Sequence, residues 1–486
     1  MGPSTEQAWW RRLDFLVYLV GVTALVVYVL HGFDGLMTRD QAVYGYGGQQ
    51  VVEGIPPYVS ILNRAGPLAH LIPALGVAVA RRAGIDDVLG MRLLIMLIAV
   101  VCVCLIYVLG RQLFTSRLAG LAAAAAFLSF HALIRHATYG PRDKIPMLLF
   151  LLCTLLAVAK RRWFAAGFSL SLATLVWQPS LLVGLAAAIA TVIALQPSER
   201  LGAFIRFTVG GLVPASAFVI YFVLVDALKE FIDGFLLINA RYTVATPLLP
   251  LLGRRWEMMR AGFGVSVWVF VVGLAALTIL TLLALRRGGW RAPARFPIVA
   301  IGAAGLAALA WCLRDFDSWP DAFVLMPMAA IGIGGIAKEL IDRLPARAAL
   351  VLCLAWVVAA VSVAATYSIR TRGHSLQRQR AQVARILELL GPDTSIQSIG
   401  SPEALVLSGM RNPTRHQMFG KGLTRYVDDT WPGGLRAFGN WIRREEPTIL
   451  TVNRYYRWLR PTIRREYRPA GPALGWTWYV HRSVNR

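Results

Sequence analysis

The sequence predicts an α-helical polytopic membrane protein of about eleven spans, with one interfacial or re-entrant segment and a small C-terminal α/β soluble domain. Three observations predict this. The 486-residue chain is 57% hydrophobic and only 16% charged, whereas a soluble chain carries about 25% charge. Apolar runs recur along it, many of roughly 17–25 residues, long enough for a helix to cross about 30 Å of hydrocarbon. Beyond about residue 370 the charge rises and the apolar runs shorten.

The first apolar run, 13–31, follows Arg11 and Arg12 and has no small-residue cleavage site, so it reads as a retained span rather than a signal peptide. The others cover about 89–110, 118–134, 145–159, 163–177, 180–195, 207–226, 263–285, 297–313, 322–337 and 347–367. Segment 66–83 is ambiguous: it is just long enough to span, yet it contains Pro67, His70 and Pro73 and ends in Arg81-Arg82. Charge parity assigns it to the interface. With the N-terminus inside, the cytoplasmic loops hold Arg111 and Arg117, Lys160 to Arg162, Arg200 and Arg206. They also hold Arg286, Arg287, Arg291 and Arg295, then Lys338, Arg343 and Arg347, as the positive-inside rule favours. This places 32–88, 135–144 and the region from about 370 to 486 outside. The expected domains are therefore a membrane domain, 1–369, with a long outer loop 32–88, and an extracytoplasmic domain, 370–486.

The net charge of +24 is read as topology rather than as a nucleic-acid surface, because many of the arginines sit between apolar runs. The five cysteines all fall in apolar runs, which argues for buried thiols and against zinc or disulfides. No glycine pattern for ATP or NAD follows a strand. In the C-terminal region, AQVARILELLG has helical spacing, with Ala384, Ile386, Leu389 and Leu390 on one face. TSIQSIG, PTILTVN and WTWYVHR read as strands. LRAFGNWIRREEP and YYRWLRPTIRREY read as helices.

Three polar clusters gather on the predicted outer face. The first is TRDQAVYGYGGQQVVEGIPPY, residues 38–58. It carries Arg39 and Asp40 on a short amphipathic helix, glycines at 45, 47 and 48 that allow tight turns, and Pro56-Pro57 forcing an extended exit. The second is Arg142-Asp143-Lys144, an acid between two cations. The third is dispersed: Asn63-Arg64, Trp177-Gln178-Pro179, Asn239, Arg241, Tyr242, Arg254 and Arg255, with Asp315, Asp317 and Asp321. Taken singly, each also fits a solvated loop or a headgroup contact. Together they suit transfer from a lipid-phosphate donor. One carboxylate acts as general base on an acceptor hydroxyl, and cations stabilise the departing phosphate.

The order of these elements resembles the C superfamily of integral-membrane glycosyltransferases that use polyprenyl-phosphate sugars, in particular the protein O-mannosyltransferase and aminoarabinose-transferase branch. The resemblance is one of pattern and covers most of the chain. It rests on Asp40-Gln41, Tyr44, Gly54-Ile55-Pro56-Pro57-Tyr58, the NRAGPLAHLI element with Asn63, Arg64, Pro67, Leu68 and His70, GRQLF at 110–114, Arg142-Asp143 and Gln178-Pro179. The sequence departs from the family at Gln41, where a second acid is common, and at Arg64 and Gln178, where lysine is usual. These departures leave the sugar and any metal dependence open.

The resemblance implies an enzyme of the bacterial inner membrane, multi-pass, with a cytoplasmic N-terminus. It would move a sugar from a polyprenyl-phosphate donor to a cell-envelope glycan, lipid or protein. Asp40 and Asp143 are the implied catalytic residues. Arg64, Arg142, Lys144, Arg241, Arg254 and Arg255 are expected to meet donor phosphate or lipid. Arg39, Tyr44, Tyr58, Asn63, His70, Gln178 and Tyr242 are expected to bind substrate. No cofactor is implied with certainty, a divalent cation remains open, and membrane lipids are partners while nucleic acid is not. The competing readings are a flippase or transporter and a non-catalytic envelope scaffold. The first usually shows polar breaks at mid-membrane, whereas here the polar groups lie at one face.

Overall fold

The computed structural model describes residues 14–292, 296–420 and 422–484; Arg11, Arg12 and Arg295 lie outside the described residues. Each of the eleven apolar runs contains helix. The chain opens with α1 (Phe15–His31), then α2 (Arg39–Val52), α3 (Leu68–Ala83) and α4 (Asp87–Phe114). Run 118–134 is not one rod. It divides into α5 (Arg117–Leu128) and α6 (His131–Tyr139), bent by 66° at Ser129-Phe130. Then come α7 (Lys144–Ala159), α8 (Trp163–Val176), α9 (Ser180–Ala194) and α10 (Pro197–Leu224). A short α11 (Leu228–Phe231) runs into a π-helical segment, Ile232–Tyr242. It is followed by α12 (Leu252–Phe263), α13 (Ser266–Gly288), α14 (Pro297–Arg314), α15 (Met326–Arg343) and α16 (Ala346–Arg370).

Among the described residues, six helical stretches are long and apolar enough to cross a membrane, or seven if the bent pair is one span. Four further apolar helices, α1, α7, α8 and α9, are shorter. Exposed Leu, Ile, Val and Phe along α1, α9, α10 and α13 give the bundle the apolar outer surface that lipid requires.

Small residues set the packing. Gly45, Gly47 and Gly48 were expected to make turns; instead all three lie inside α2. A Cβ at Gly47 would sit 2.1 Å from His70 Nδ1, and one at Gly48 would sit 2.9 Å from Ala74 N. The glycines let α3 lie directly against α2, and α3 in turn packs on α4. Gly66 is tighter still. Its N–H donates to Val176 O at 3.0 Å, and a Cβ there would lie 1.9 Å from Leu175 O. That contact fixes the loop before α3 to the end of α8. Backbone cannot rotate away as a side chain can, so Gly66→Ala is expected to destabilise by about 3 kcal/mol. Thermal unfolding in detergent checks this; an unchanged midpoint would contradict it.

The C-terminal domain contains α17 (Ser375–Leu390), α18 (Glu403–Ser408), α19 (Leu423–Thr430), α20 (Gly434–Glu445) and α21 (Arg460–Glu466). Its strands are β1 (Ile396–Ile399), β2 (Ile449–Val452), β3 (Tyr467–Pro472) and β4 (Thr477–His481). The sheet order is β1-β2-β4-β3. β1 and β2 are parallel, Ile396 opposite Ile449, and the other pairs are antiparallel. Two sequence expectations shift. YYRWLRPTIRREY forms helix only over α21, because Tyr456 and Leu459 turn into the domain core. On α17 the buried side chains are Leu376, Gln379 and Val383, while Ala384 and Leu389 face outward.

Gln379 is the reason for that rotation. Its amide accepts from Met37 N at 2.9 Å and donates to Met37 O at 3.0 Å, pairing α17 with the loop before α2. Further ties join the domain to residues 34–62. Leu376 N donates to Asp34 O (3.0 Å), Asn412 N to the Tyr46 hydroxyl (3.0 Å) and Leu62 N to Arg415 O (2.8 Å). Arg411 meets Glu53 at 2.9 Å. The polar stretch 38–58 is thus the seat of the C-terminal domain, which explains why α2 buries glutamines and tyrosines.

Candidate active site at the junction of the two domains

One cavity of about 520 Å³ lies where the membrane helices meet the C-terminal domain. Four segments build its polar wall. The N-terminus of α2 supplies Arg39, Asp40 and Tyr44. The loop before α3 supplies Asn63 and Arg64. The α6–α7 connection supplies Arg142, Asp143 and Lys144, and the α8–α9 break supplies Trp177 and Gln178. The end of α14 and the following loop add Trp311, Asp315, Asp317 and Asp321. The C-terminal domain adds Met418, Phe419, Gly420, Leu423 and Arg454.

Local chemistry explains each placement. A capping box holds the start of α2, with Thr38 N donating to Gln41 Oε1 at 2.8 Å. Gln41, where the resembled family often has an acid, is therefore engaged in capping and is buried. It leaves Asp40 in the first helical turn, aimed at the cavity. The α8–α9 break is closed by Gln178, whose amide donates to Arg64 O at 2.9 Å; Asn239 donates to the same carbonyl at 2.8 Å. Two amides thereby fix the backbone that carries Arg64.

Arg142 is the hub. Its Nη2 donates to Asp40 Oδ2 at 2.9 Å, and its Nη1 lies 3.3 Å from His136 Nε2. Its Nε is 3.8 Å from Asp143 Oδ1. Nε and Oδ1 are both buried without a hydrogen-bond partner. Lys144 Nζ sits 3.6 Å from Asp143 and 3.7 Å from Asp321, and 3.7 Å from the centre of the Trp177 ring. Asp143 and Lys144 side chains are nearly closed off from solvent, whereas the Asp40 side chain is 40% exposed to the cavity. Burial alone would raise the Asp40 carboxyl; Arg142 and Arg39 offset it and hold the group below its ordinary value, so it stays ionised. Burial works against the Arg142 charge too, but Asp40 and Asp143 keep it firmly protonated. Tyr44 is pushed well above the usual phenol value by burial and by Asp143, so it acts as a neutral hydroxyl.

A divalent cation does not fit this donor set. Among the described residues no three His, Cys, Asp or Glu side chains group closely enough to hold one. Lys144 already stands between Asp143 and Asp321.

Of the fifteen residues given catalytic, phosphate or substrate roles from sequence, the structure brings nine together: Arg39, Asp40, Tyr44, Asn63, Arg64, Arg142, Asp143, Lys144 and Gln178; Trp177, Pro179, Asn239, Asp315, Asp317 and Asp321 of the third cluster join them. The remaining six of the fifteen lie elsewhere. Tyr58 is fully buried and donates to Ala65 O at 2.6 Å. His70 fills the space above Gly47 and is fully buried. Tyr242 packs edge-on against Tyr426, Arg241 and Arg254 point to the surface, and Arg255 donates to Asp317 O. Sequence reasoning did not single out Arg454, Phe419, Trp311 or His136. Arg454 did carry a signal: it follows directly on PTILTVN, and the C-terminal ends of parallel strands commonly face ligands.

Residues 65–230 match the family model of dolichyl-phosphate-mannose-protein mannosyltransferases. No curated protein matches by sequence. Among solved structures, apo ArnT from Cupriavidus metallidurans superposes with a TM-score of 0.65 at 15% identity, over 96% of this chain and 97% of that one. The same enzyme bound to undecaprenyl phosphate gives 0.65 and 15%, over 96% and 98%. Arabinosyltransferase EmbB from Mycobacterium smegmatis gives 0.43 at 14% identity, over 98% of this chain and 47% of that one.

Proposed function

We propose that this chain, which has the fold of the C superfamily of integral-membrane glycosyltransferases, moves a sugar from a polyprenyl-phosphate-linked donor to an extracytoplasmic cell-envelope acceptor. The observation that carries the proposal is the Asp40–Arg142–Asp143–Lys144 array, walled by both domains and open on one flank to apolar side chains.

The roles follow from position. Asp40 is the cavity-facing carboxylate and accepts the proton of the acceptor hydroxyl as its oxygen bonds to the anomeric carbon. The bond from that carbon to the phosphate oxygen breaks, and the electron pair stays on the departing polyprenyl phosphate. Arg64 and Arg142 stabilise the charge gathering there. Arg64 forms no ion pair with any described residue, so its charge is available to a ligand. Leu181 and Leu182 line the cavity and are exposed on α9; the prenyl chain leaves toward lipid past them. Asp143, held by Arg142 and Lys144, positions the sugar.

The arginine-rich helix ends support the outward orientation. α7 starts in the cavity at Lys144 and ends at Ala159, just before Lys160 to Arg162, and α8 returns from Trp163 to Val176. The Lys160–Arg162 cluster thus lies at the end away from the cavity, whereas Arg81 and Arg255 lie on the cavity side, engaged by Asp87 and by the Asp317 carbonyl. At the end away from the cavity Asp14 pairs with Arg111 at 2.9 Å, which places the described start of the chain there. Cavity and C-terminal domain then face outward. A reporter fused after residue 486 is expected to read extracytoplasmic; a cytoplasmic signal would contradict this orientation.

Donor-phosphate recognition has its own test. Purified protein is expected to bind polyprenyl phosphate far better than the neutral polyprenol. Arg64→Gln is expected to weaken the phosphate lipid by about tenfold. Equal binding of the two lipids would overturn the assignment.

His136 gives a finer prediction. Arg142 donates toward its Nε2, so the ring must be the acceptor, while Trp319 and Phe323 pack around it. His136→Phe keeps the ring packing and removes the acceptor, freeing Arg142 from one of its anchors. The expected result is a drop of about tenfold in kcat with little change in thermal midpoint, on the scale of one lost charge-assisted hydrogen bond. His136→Gln, which restores an acceptor, is expected to recover part of it.

A further inference from the structure

From Arg454, which lines the cavity, the C-terminal domain runs on through a line of exposed arginines that have no acidic partner among the described residues. Arg454 begins it. It follows β2, lines the cavity, and is held by donating to Phe419 O at 3.1 Å with its guanidinium 5.2 Å from the Tyr456 ring. The chain then emerges through Tyr455, which is 69% exposed, and presents Arg457, Arg460, Arg464 and Arg465. Arg460 and Arg464 are four apart on α21 and share a face. None of these five arginines forms an ion pair with a described residue, although several arginines elsewhere in the domain are paired, such as Arg411 with Glu53 and Arg380 with Asp86. Trp458 and Leu459, between them, are packed inward and fix the segment.

Two features tie this line to the cavity. Arg454 follows β2 at the C-terminal end of the parallel pair β1–β2, and it lines the cavity beside Phe419 and Gly420, where a Cβ on Gly420 would lie 3.0 Å from Arg454 Nη2. An uncompensated row of guanidinium groups attracts polyanions, and its planar forks suit phosphate and carboxylate.

We propose that the acceptor is an acidic polymer of the cell envelope, bearing repeated phosphate or carboxylate groups, and that the arginine line from 454 to 465 guides it into the cavity. This rests on the transferase reading above. It goes beyond that reading by naming the chemical class of acceptor and the surface that receives it.

The test measures binding with no donor present, so it stands apart from catalysis. Purified protein in neutral nanodiscs is titrated with labelled polyphosphate, polygalacturonate and neutral dextran at several salt concentrations. The wild type is expected to prefer both acidic polymers to dextran, with affinity falling as salt rises. R457Q/R460Q/R464Q is expected to bind them on the order of tenfold more weakly, with a shallower salt dependence, and to unfold at the wild-type temperature. R206Q/R286Q/R287Q removes the same charge elsewhere and is expected to change binding little. Equal affinity for dextran, or equal loss in both triple variants, would overturn the proposal. So would binding confined to vesicles containing phosphatidylglycerol, which would make this a lipid-headgroup surface. Donor turnover by the wild type, assayed separately, reports on the transferase reading whichever way binding falls.

Discussion

Asp40→Asn is expected to lower sugar transfer by about 10³-fold while leaving the fold in place. The amide matches the carboxylate in size, and the capping box around Thr38 and Gln41 does not use Asp40. What is lost is the proton acceptor and the charge that Arg142 and Arg39 meet at 2.9 and 3.4 Å. Because those cations hold the Asp40 carboxyl below its ordinary value, it stays ionised through the neutral range. Wild-type transfer should therefore show no acid limb from this residue until pH falls below the usual carboxylate range. Initial rates with a fixed donor, alongside thermal unfolding, check both statements. A variant within threefold of wild type would remove Asp40 from the chemistry.

The second large effect concerns Glu403. This carboxyl lies at the start of α18, against α2, and is almost wholly buried with Oε2 unpartnered. Burial pushes it up from 4.5 to about 8; the nearby charge of Asp40 adds to this and Arg39 opposes it. Between about pH 4.5 and pH 8 the folded protein keeps this proton while the unfolded chain has lost it. Stability therefore falls as pH rises through that window, at up to about 1.4 kcal/mol per unit, and levels off above it. The cost falls on the docking of the C-terminal domain, since α18 packs on α2. Glu403→Gln keeps the shape of the protonated acid and is expected to abolish this slope, so it stabilises most near pH 8 and least near pH 4.5. Unfolding midpoints of both proteins from pH 5 to 8.5 check it; parallel curves would contradict it.

Much of this was legible in the sequence, for physical reasons. Apolar length reports helices directly, and the Lys160–Arg162 cluster marks the α7–α8 turn away from the cavity. The Asp40 and Arg142-Asp143 clusters were legible because charges at a span end are costly and need partners. Other features depend on approach in space. Nothing local reveals that Gly47 and Gly48 serve α3 rather than a turn, because the neighbour is His70 and Pro73-Ala74 on another helix. Tyr58 and His70 sit within motif stretches yet lie buried behind the cavity wall, Tyr58 bonded to Ala65 O and His70 packed against Gly47 and Asn63. Arg454 comes from a separate domain, and only the docking of α17 on the loop before α2 and of α18 on α2 brings it to Asp40's cavity. The bend between α5 and α6 was hidden because the hydropathy of 118–134 is continuous. It carries His136 to Arg142.

The most direct measurement incubates the purified protein with a panel of polyprenyl-phosphate sugars and an envelope extract, and follows release of polyprenyl phosphate. At least one donor is expected to turn over in the wild type, with loss of turnover in Asp40→Asn. No turnover of any donor, or equal turnover by the variant, would contradict a lipid-phosphate sugar transferase built on this cavity.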